Sequence, residues 1–271
     1  GDKKAGGLFV KTVALLTKHR KSQQLAPVLY EIGIELVEID FFDTDQLGTF
    51  SGEIPRKLSP RECALVKAKK AVELSGINVG LGSEGSFGGG PLEGFMSWNQ
   101  EIICLFQKEP ELIIFAQAEG PTPLRELTAE SLEDLKQKLA DFERQKWILT
   151  CPDGILKGLS DTEVIAIHQT PYTEWPVYLT PDLRAMNSPL RQIMLQKAAL
   201  NLAERLQSKC PNCAEMDFWP DVREFGPTCA LCGQPTNEVK ALVSCCKSCG
   251  YSESELKNLN GNPACCNYCN P

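Results

Sequence analysis

In the first two hundred residues, segments with the apolar pattern of a strand alternate with segments that have the apolar pattern of a helix. A β-rich apolar run at residues 9–17 precedes a helical period over residues 22–32 and a second apolar run at residues 34–40. This order predicts a strand–helix–strand unit. The loop that closes its first strand lies where ligands bind in open α/β sheets.

The same pattern continues to the end of the apolar-rich region. Ser59-Pro60 followed by Glu62 has the order of a helix N-terminus with a capping box. The predicted elements are a helix to Leu74, a strand at 77–81 entering a glycine-rich loop at 82–90, a hairpin of strands 101–107 and 111–118, a helix at 128–146, strands at 147–150 and 163–168, and a helix at 190–206. We therefore predict an α/β domain, a mixed sheet flanked by helices, over residues 8–207, with a separate module over 208–271.

Composition and charge narrow the function classes. Hydrophobic residues make up 42% of the 271 residues, which is enough for a large core, and the formal net charge is −7. An acidic chain has no long-range attraction for phosphate backbones, so nucleic acid is a disfavoured partner. No apolar run has the length of a membrane span, and no secretion signal begins the chain, so we expect a cytoplasmic protein without a membrane partner.

Ten of the thirteen cysteines crowd into the last sixty-two residues. Eight of them form four Cys-x-x-Cys knuckles separated by 15, 13 and 16 residues: Cys210, Cys213, Cys229, Cys232, Cys246, Cys249, Cys266 and Cys269. Two such knuckles supply the four thiolates of a tetrahedral zinc site. The spacing therefore predicts a double zinc ribbon that holds two structural Zn²⁺ ions, and free buried cysteines are the alternative.

The spacing leaves the pairing of the knuckles open. Tandem pairing is the simplest arrangement, while nested or crossed pairing satisfies the same spacings. Cys245 and Cys265 each precede a knuckle and could replace its first ligand, but a two-residue gap suits the turn better. Four basic residues against seven carboxylates make this region acidic, so we expect a structural or protein-docking role for it.

Three polar segments of the first domain are candidates for chemistry. Thr17, Lys18, His19 and Lys21 precede a predicted helix N-terminus, which is a ready anion site, although a solvated turn has the same composition. The helix that carries Glu62 and Lys67 can equally be a salt-bridged amphipathic helix. Ser83 and Glu84 stand among glycines after a buried strand, where a carboxylate can bind a metal or act as a base, or can simply belong to a surface turn.

Read together, these segments resemble the inosine triphosphate pyrophosphatase superfamily, which hydrolyses non-standard nucleoside triphosphates. In that family a strand ends Thr-Gly-Asn-x-x-Lys, and here Thr17 and Lys21 stand at similar positions. Its helix pattern Glu-Asn-Ala-Leu-x-Lys-Ala is similar to residues 62–68. Ser83-Glu84 stands where the family has a pair of aspartates.

The resemblance to this superfamily extends to the start of the last predicted helix, and it implies roles for the candidate residues. Arg184 and Arg191 flank the place of the family's basic turn, whose histidine has no counterpart here. By this resemblance, Glu62 and Glu84 would hold Mg²⁺ or activate water. Lys18, Lys21 and Lys67 would neutralise phosphate, with Ser83 and Arg184 among the ligand contacts.

The chain also resembles an uncharacterised bacterial family of unknown function that joins such a domain to a four-knuckle cysteine tail. The similar segments are residues 43–53, residues 83–88 and the closing residues 266–271. That resemblance implies no activity.

From the sequence we therefore expect a zinc-binding protein whose α/β domain binds a nucleotide or another phosphorylated small molecule. Hydrolysis of a phosphoanhydride with Mg²⁺, as by a nucleoside triphosphate pyrophosphatase, is one form of this hypothesis. The alternative is a non-catalytic binding protein whose zinc tail docks a protein partner.

Overall fold

A computed structural model gives the fold of this protein for residues 12–18, 20–40, 58–88, 90, 97–122, 125–142 and 144–271. Residue contacts divide the chain into two compact units, with the division between Leu202 and Ala203. We call them the α/β unit and the C-terminal unit. The sequence placed the boundary between residues 207 and 208, and that domain assignment stays a prediction.

The first part of the α/β unit follows the predicted order of elements. They are, in chain order, β1 (Thr12–Leu16), α1 (Ser22–Tyr30), β2 (Glu35–Ile39), α2 (Pro60–Ser75), β3 (Val79–Phe87), β4 (Trp98–Gln107) and β5 (Leu112–Pro121). The strand–helix–strand unit and the hairpin are confirmed. The capping box is confirmed too, because Ser59 and Glu62 each accept a hydrogen bond from the other's backbone N–H.

These five strands form one mixed sheet in the order β2-β1-β3-β4-β5. Strands β1, β2 and β3 run parallel, whereas β3, β4 and β5 are antiparallel. Strand β1 lies between the strands that follow it in the chain, so the strand order reverses there. Such a switch point opens a crevice at the carboxyl end of β1.

Strand β3 is longer than predicted and passes through the glycine-rich stretch that the sequence suggested was a loop. The reason is close packing against α2. A side chain at Gly80 or Gly82 would overlap the backbone carbonyl oxygens of Ala68 and Ala64. These glycines thus let a helix approach the strand, and Glu84 lies inside a strand rather than in a surface turn.

The second part of the α/β unit is a smaller antiparallel sheet with its own core around the buried Trp147. Its elements are β6 (Leu127–Ala129), α3 (Leu132–Ala140), β7 (Trp147–Cys151), β8 (Gly154–Leu159), α4 (Asp161–His168) and β9 (Val177–Pro181), and the strand order is β6-β9-β7-β8.

Two predictions for this part were wrong. The segment predicted as a strand at 163–168 is helical, because Ser160 and Glu163 form a capping box that starts α4. The helix predicted from residue 128 begins only at Leu132, after a strand, because Ser131 is its N-cap.

The last long helix, α5 (Pro189–Gln207), confirms the prediction of a helix before the cysteines. In the α/β unit its Asn201 accepts a hydrogen bond from the backbone of Gln117 in β5, and its Gln196 donates one to Gln24 in α1. None of the helices in the described residues combines the length and the apolar composition needed to cross a bilayer.

The C-terminal unit is built from short strands around the cysteines. They are β10 (Val222–Phe225), β11 (Thr228–Cys229), β12 (Val239–Cys245), β13 (Ser252–Leu256) and β14 (Asn260–Gly261). Strands β10, β12 and β13 form an antiparallel sheet, and β11 pairs with β14.

Candidate functional site

The eight knuckle cysteines gather into two groups of four. The first tetrad is Cys210, Cys213, Cys246 and Cys249, and the second tetrad is Cys229, Cys232, Cys266 and Cys269. The first knuckle therefore joins the third and the second joins the fourth. Of the pairings left open by the sequence, the structure shows the crossed one, and each tetrad could hold a metal ion such as zinc.

The sulfur positions fit a tetrahedral thiolate site. A Zn–S bond of about 2.3 Å places ligand sulfurs about 3.8 Å apart. In the first tetrad the Sγ atoms of Cys210 and Cys249 are 3.7 Å apart. In the second, those of Cys229 and Cys269 are 3.8 Å apart. All four ligand atoms of each tetrad lie within 4.8 Å of one another, so each tetrad could hold a metal ion such as zinc.

Backbone and side-chain donors point at the knuckle sulfurs. The backbone N–H of Leu231 lies 3.4 Å from the sulfur of Cys229, and the amide of Asn212 lies 3.4 Å from that of Cys249. Gly233 and Gly250, which directly follow a knuckle, have φ angles of +76° and +74°. Glycine adopts this left-handed conformation without steric strain, so it allows the turn that closes each of these knuckles.

The two remaining cysteines of the tail, Cys245 and Cys265, are exposed and belong to neither tetrad. A buried carboxylate supports the first tetrad instead. Asp217 accepts hydrogen bonds from Arg205 at the end of α5, at 2.9 Å, and from Lys247 within the third knuckle, at 2.8 Å. This bridge fixes the third knuckle relative to the end of that helix.

The second candidate site lies in the α/β unit, at the crevice beyond β1. Strand β1 ends at Leu16, whereas its neighbour β3 continues to Phe87, so among the described residues no strand pairs with the last part of β3 on that side. Two lysines reach this edge. The ammonium group of Lys21 donates to the carbonyl oxygen of Ser83 at 3.2 Å, and that of Lys67 lies 3.5 Å from the same oxygen.

Glu84 is held on the side of β3 that α2 covers. Its Oε2 atom lies 2.7 Å from the Lys67 ammonium group and accepts a hydrogen bond from the Cys63 thiol at 3.2 Å. Both charged side chains are nearly buried. Among the described residues, no group of three metal-ligating side chains includes Glu84, so its predicted part in binding Mg²⁺ stays a prediction.

A second ion pair lies on the opposite side of the same strands. Arg191 in α5 donates to both carboxylate oxygens of Glu101 in β4, at 2.5 and 3.1 Å, and both side chains are buried. Glu101 pairs with Gly85 of β3. A side chain at Gly85 would overlap the ion pair, so the missing Cβ lets the pair lie directly against the strand.

We call Lys21, Lys67, Glu84, Glu101 and Arg191 the buried charged cluster. Lys21 lies near the other four, and only 5% of its surface is exposed. Burial, followed by the nearby charges of Lys67 and Arg191, lowers the pKa of Lys21 to about 7, against the opposing effect of the two carboxylates. With Lys21 protonated, the cluster carries three positive and two negative charges.

Two buried polar atoms near this cluster have no hydrogen-bond partner within the structure. They are the hydroxyl oxygen of Ser83 and the Oδ1 atom of Asn99, and both residues are almost fully buried. Buried polar atoms are nearly always paired in proteins, so each of these two atoms is expected to have a partner such as an ordered water or a ligand.

Of the other predicted ligand contacts in the loop after β1, the structure describes Thr17 and Lys18. Thr17 is buried and its backbone N–H donates to Ile39, while Lys18 is exposed. His19 lies outside the described residues. Of the predicted site residues, the structure brings Lys21, Lys67, Ser83 and Glu84 together.

The contacts described for Glu62 and Arg184 are with residues outside the buried charged cluster. Glu62 is exposed, and hydrogen bonds from the side chain and backbone of Ser59, within the helix cap, lower its pKa. Arg184 binds the buried Asp182 at 2.6 Å. The predicted catalytic role of Glu62 and the predicted ligand contact of Arg184 stay predictions.

The sequence did not indicate Glu101 or Asn99 as site residues, and it gave no ion-pair partner for Arg191. Asn99 and Glu101 belong to a polar run directly before the apolar residues 102–106, and such a run is typical of an exposed strand end. Two charged residues ninety positions apart cannot be paired without the fold. The available sign was a carboxylate at the start of a predicted buried strand, because a buried charge requires a partner.

Comparison with known protein families assigns the chain to one of them. The model of the DUF6671 domain of unknown function matches residues 67–271, so the chain belongs to that family. A search of curated proteins found no match. The family carries no described activity, and the resemblance to the inosine triphosphate pyrophosphatase superfamily stays a prediction.

Proposed function

We propose that this protein binds a phosphorylated small molecule at the crevice of its α/β unit, and that two structural Zn²⁺ ions hold its C-terminal unit together. The buried charged cluster carries the first part of this proposal. The two cysteine tetrads support the second.

The charge of the cluster favours an anionic ligand. Within the described residues, three cations, Lys21, Lys67 and Arg191, lie with the two carboxylates of Glu84 and Glu101. Burial and the two neighbouring cations disfavour the charged form of Lys21, which is why its pKa is lowered. A phosphate group in the crevice would favour the charged form.

Local hydrogen-bonding groups favour the same ligand. The unpaired hydroxyl of Ser83 can donate to a phosphate oxygen beside the two lysines. Helix α1 starts directly after Lys21, and no side chain caps its N-terminus. Anions bind at such helix starts because backbone N–H groups and the helix dipole point towards them.

The hydrolytic form of the proposal depends on Glu84. Lys67 would exchange the Glu84 carboxylate for a phosphate oxygen, and the freed carboxylate would then hold Mg²⁺ or accept a proton from water. In the non-catalytic alternative, Glu84 only holds Lys67 in position, and the α/β unit binds the phosphorylated ligand without turnover. Pyrophosphate release from a panel of standard and deaminated nucleoside triphosphates, with and without Mg²⁺, distinguishes the two.

Ligand-induced thermal stabilisation tests the binding site. Sulfate, inorganic phosphate and nucleotides should raise the melting temperature of the wild type, and Lys67→Met and Ser83→Ala should reduce that rise. The matched control is Lys70→Met, on the same helix, because Lys70 binds the exposed Glu73 and lies outside the cluster. Equal stabilisation of all four proteins would refute the proposed site.

Metal analysis tests the C-terminal unit. The eight tetrad cysteines would provide two closed sites of four thiolates, which is the ligand set of structural zinc. Bound zinc there would supply cross-links and no reaction. Two equivalents of zinc per chain are expected in protein purified under reducing conditions, and metal-free folded protein or an iron chromophore would refute this part.

A further inference from the structure

Strand β13 of the C-terminal unit has an open edge. Its sheet has the order β10-β12-β13, and within the described residues no strand pairs with the other side of β13. All five residues of the strand, Ser252–Leu256, are exposed. An edge strand with accessible backbone groups is a template for pairing with another chain.

Backbone hydrogen bonds at the two ends of β13 show which of its groups face outwards. The N–H of Lys257 donates to the carbonyl oxygen of Lys240 at 2.9 Å, and the N–H of Cys246 donates to that of Tyr251 at 2.8 Å. In an antiparallel pair, successive residues direct their backbone groups alternately towards the partner strand and away from it. Residues 251, 253, 255 and 257 therefore face β12, so residues 252, 254 and 256 direct their N–H and C=O groups to the open edge.

A cavity lies on one face of the same sheet. Its volume is about 470 Å³, which is in the range of ligand-binding pockets. Phe218, Pro220 and Leu242 supply its apolar lining, and Glu253 and Glu255 of β13 supply its acidic lining. Both glutamates pair with residues of β12 that also line the cavity, so they share one face of the sheet. A long cationic side chain suits this lining, because its aliphatic stem packs on apolar surface while its charge meets a carboxylate.

The contacts of the two glutamates leave their negative charge accessible to a partner. Glu253 accepts a hydrogen bond from the hydroxyl of Tyr251, a neutral donor, at 2.7 Å. Glu255 contacts Lys257 in an exposed ion pair, and such pairs contribute little. A second copy of this chain, paired antiparallel along the same edge, would set glutamates opposite glutamates, which is destabilising across strands. The charge therefore favours a basic partner over a second copy.

We propose that the β13 edge binds an extended basic segment of another protein. The segment adds a fourth strand to the sheet through the outward backbone groups of β13. Lys or Arg side chains at alternate positions of the segment lie beside Glu253 and Glu255, with an aliphatic stem in the cavity. This inference concerns the C-terminal unit by itself and does not depend on the ligand of the α/β unit.

Calorimetric titration of the full chain with three blocked heptapeptides tests the charge and its spacing. The basic probe is Thr-Val-Arg-Val-Lys-Val-Thr, and the neutral probe has Gln in place of Arg and Lys. In the third probe, Thr-Val-Arg-Lys-Val-Val-Thr, the two cations are adjacent and point to opposite faces of a strand. We expect the basic probe to bind about tenfold more tightly than the neutral one, and the third probe to lie between them.

Variants of the two edge strands separate a local effect from the general acidity of the unit. The double substitution Glu253→Gln and Glu255→Gln should remove the advantage of the basic probe. The control is Glu224→Gln, which removes a negative charge from the exposed strand β10 at the other edge and should keep the advantage. No binding of the basic probe, equal affinities of the three probes, or an advantage that survives the double substitution would overturn the proposal.

Hydrogen exchange of the wild type checks the strand addition without any variant. The basic probe should slow exchange at the N–H groups of residues 252, 254 and 256, because these groups acquire a strand partner. Binding of the probe with unchanged exchange at these three positions would overturn the strand addition.

Discussion

Binding of an anion at the buried charged cluster should be coupled to protonation of Lys21. Its pKa is about 7 in the unliganded protein, because the ammonium group is buried near Lys67 and Arg191. A bound anion favours the charged form, so the pKa of Lys21 must rise in the complex. Affinity is therefore greatest below about pH 7 and falls as the pH rises above that value.

The size of the effect follows from Coulomb's law. An anion about 4 Å from the ammonium group, at an effective dielectric constant of about 20, contributes about 4 kcal/mol. That energy corresponds to a rise of about three pKa units. The affinity of sulfate, which does not titrate in this range, should thus fall about fiftyfold between pH 7 and 9. Binding at pH 8 should take up about 0.9 proton.

Titration calorimetry in buffers of different ionisation enthalpy measures this proton uptake directly. Lys21→Met should bind sulfate more weakly and show no uptake. His19→Asn is the control, because histidine ordinarily titrates near pH 6.5 and His19 belongs to the same loop in the sequence. A pH-independent affinity in the wild type, or uptake that survives in Lys21→Met, would refute the reasoning.

Three further results are expected. Cys210→Ser should reduce zinc from two equivalents to one, while Cys245→Ser, outside both tetrads, should keep two; equal zinc contents in the two variants would contradict the assignment. Glu101→Gln should lower the free energy of unfolding by about 3–5 kcal/mol, because Arg191 would then be charged and buried opposite a neutral amide. A free energy of unfolding in denaturant equal to that of the wild type would argue against this ion pair. If the α/β unit is a hydrolase, Glu84→Gln should slow pyrophosphate release on the order of 10²-fold or more, and wild-type release no greater than that of the variant would exclude hydrolysis.

The sequence alone determined the features that depend on short-range chemistry. The capping box of Ser59 and Glu62 involves neighbouring residues, so its motif was sufficient to predict it. The Cys-x-x-Cys knuckles are likewise local turns, and their residue types indicate zinc without knowledge of the fold. The order of strand and helix around the β1 loop followed from apolar periodicity.

Local patterns were misleading where packing decided the conformation. The glycines of β3 have the composition of a loop, yet their function is to let α2 approach the strand. The apolar residues of α4 are compatible with a buried strand, and the cap formed by Ser160 chose the helix. In each case a short segment had two acceptable conformations, and its neighbours determined which was adopted.

Only the tertiary structure could decide which distant groups meet. Crossed and tandem pairings of the knuckles satisfy the same spacings, because a spacing specifies a turn and not its partner. The Arg191–Glu101 pair joins residues ninety positions apart, and no local pattern connects them. The burial of Lys21 beside Lys67 and Arg191, and the unpaired atoms of Ser83 and Asn99, exist only when these elements are assembled, since burial turns an ordinary polar side chain into one that requires a partner.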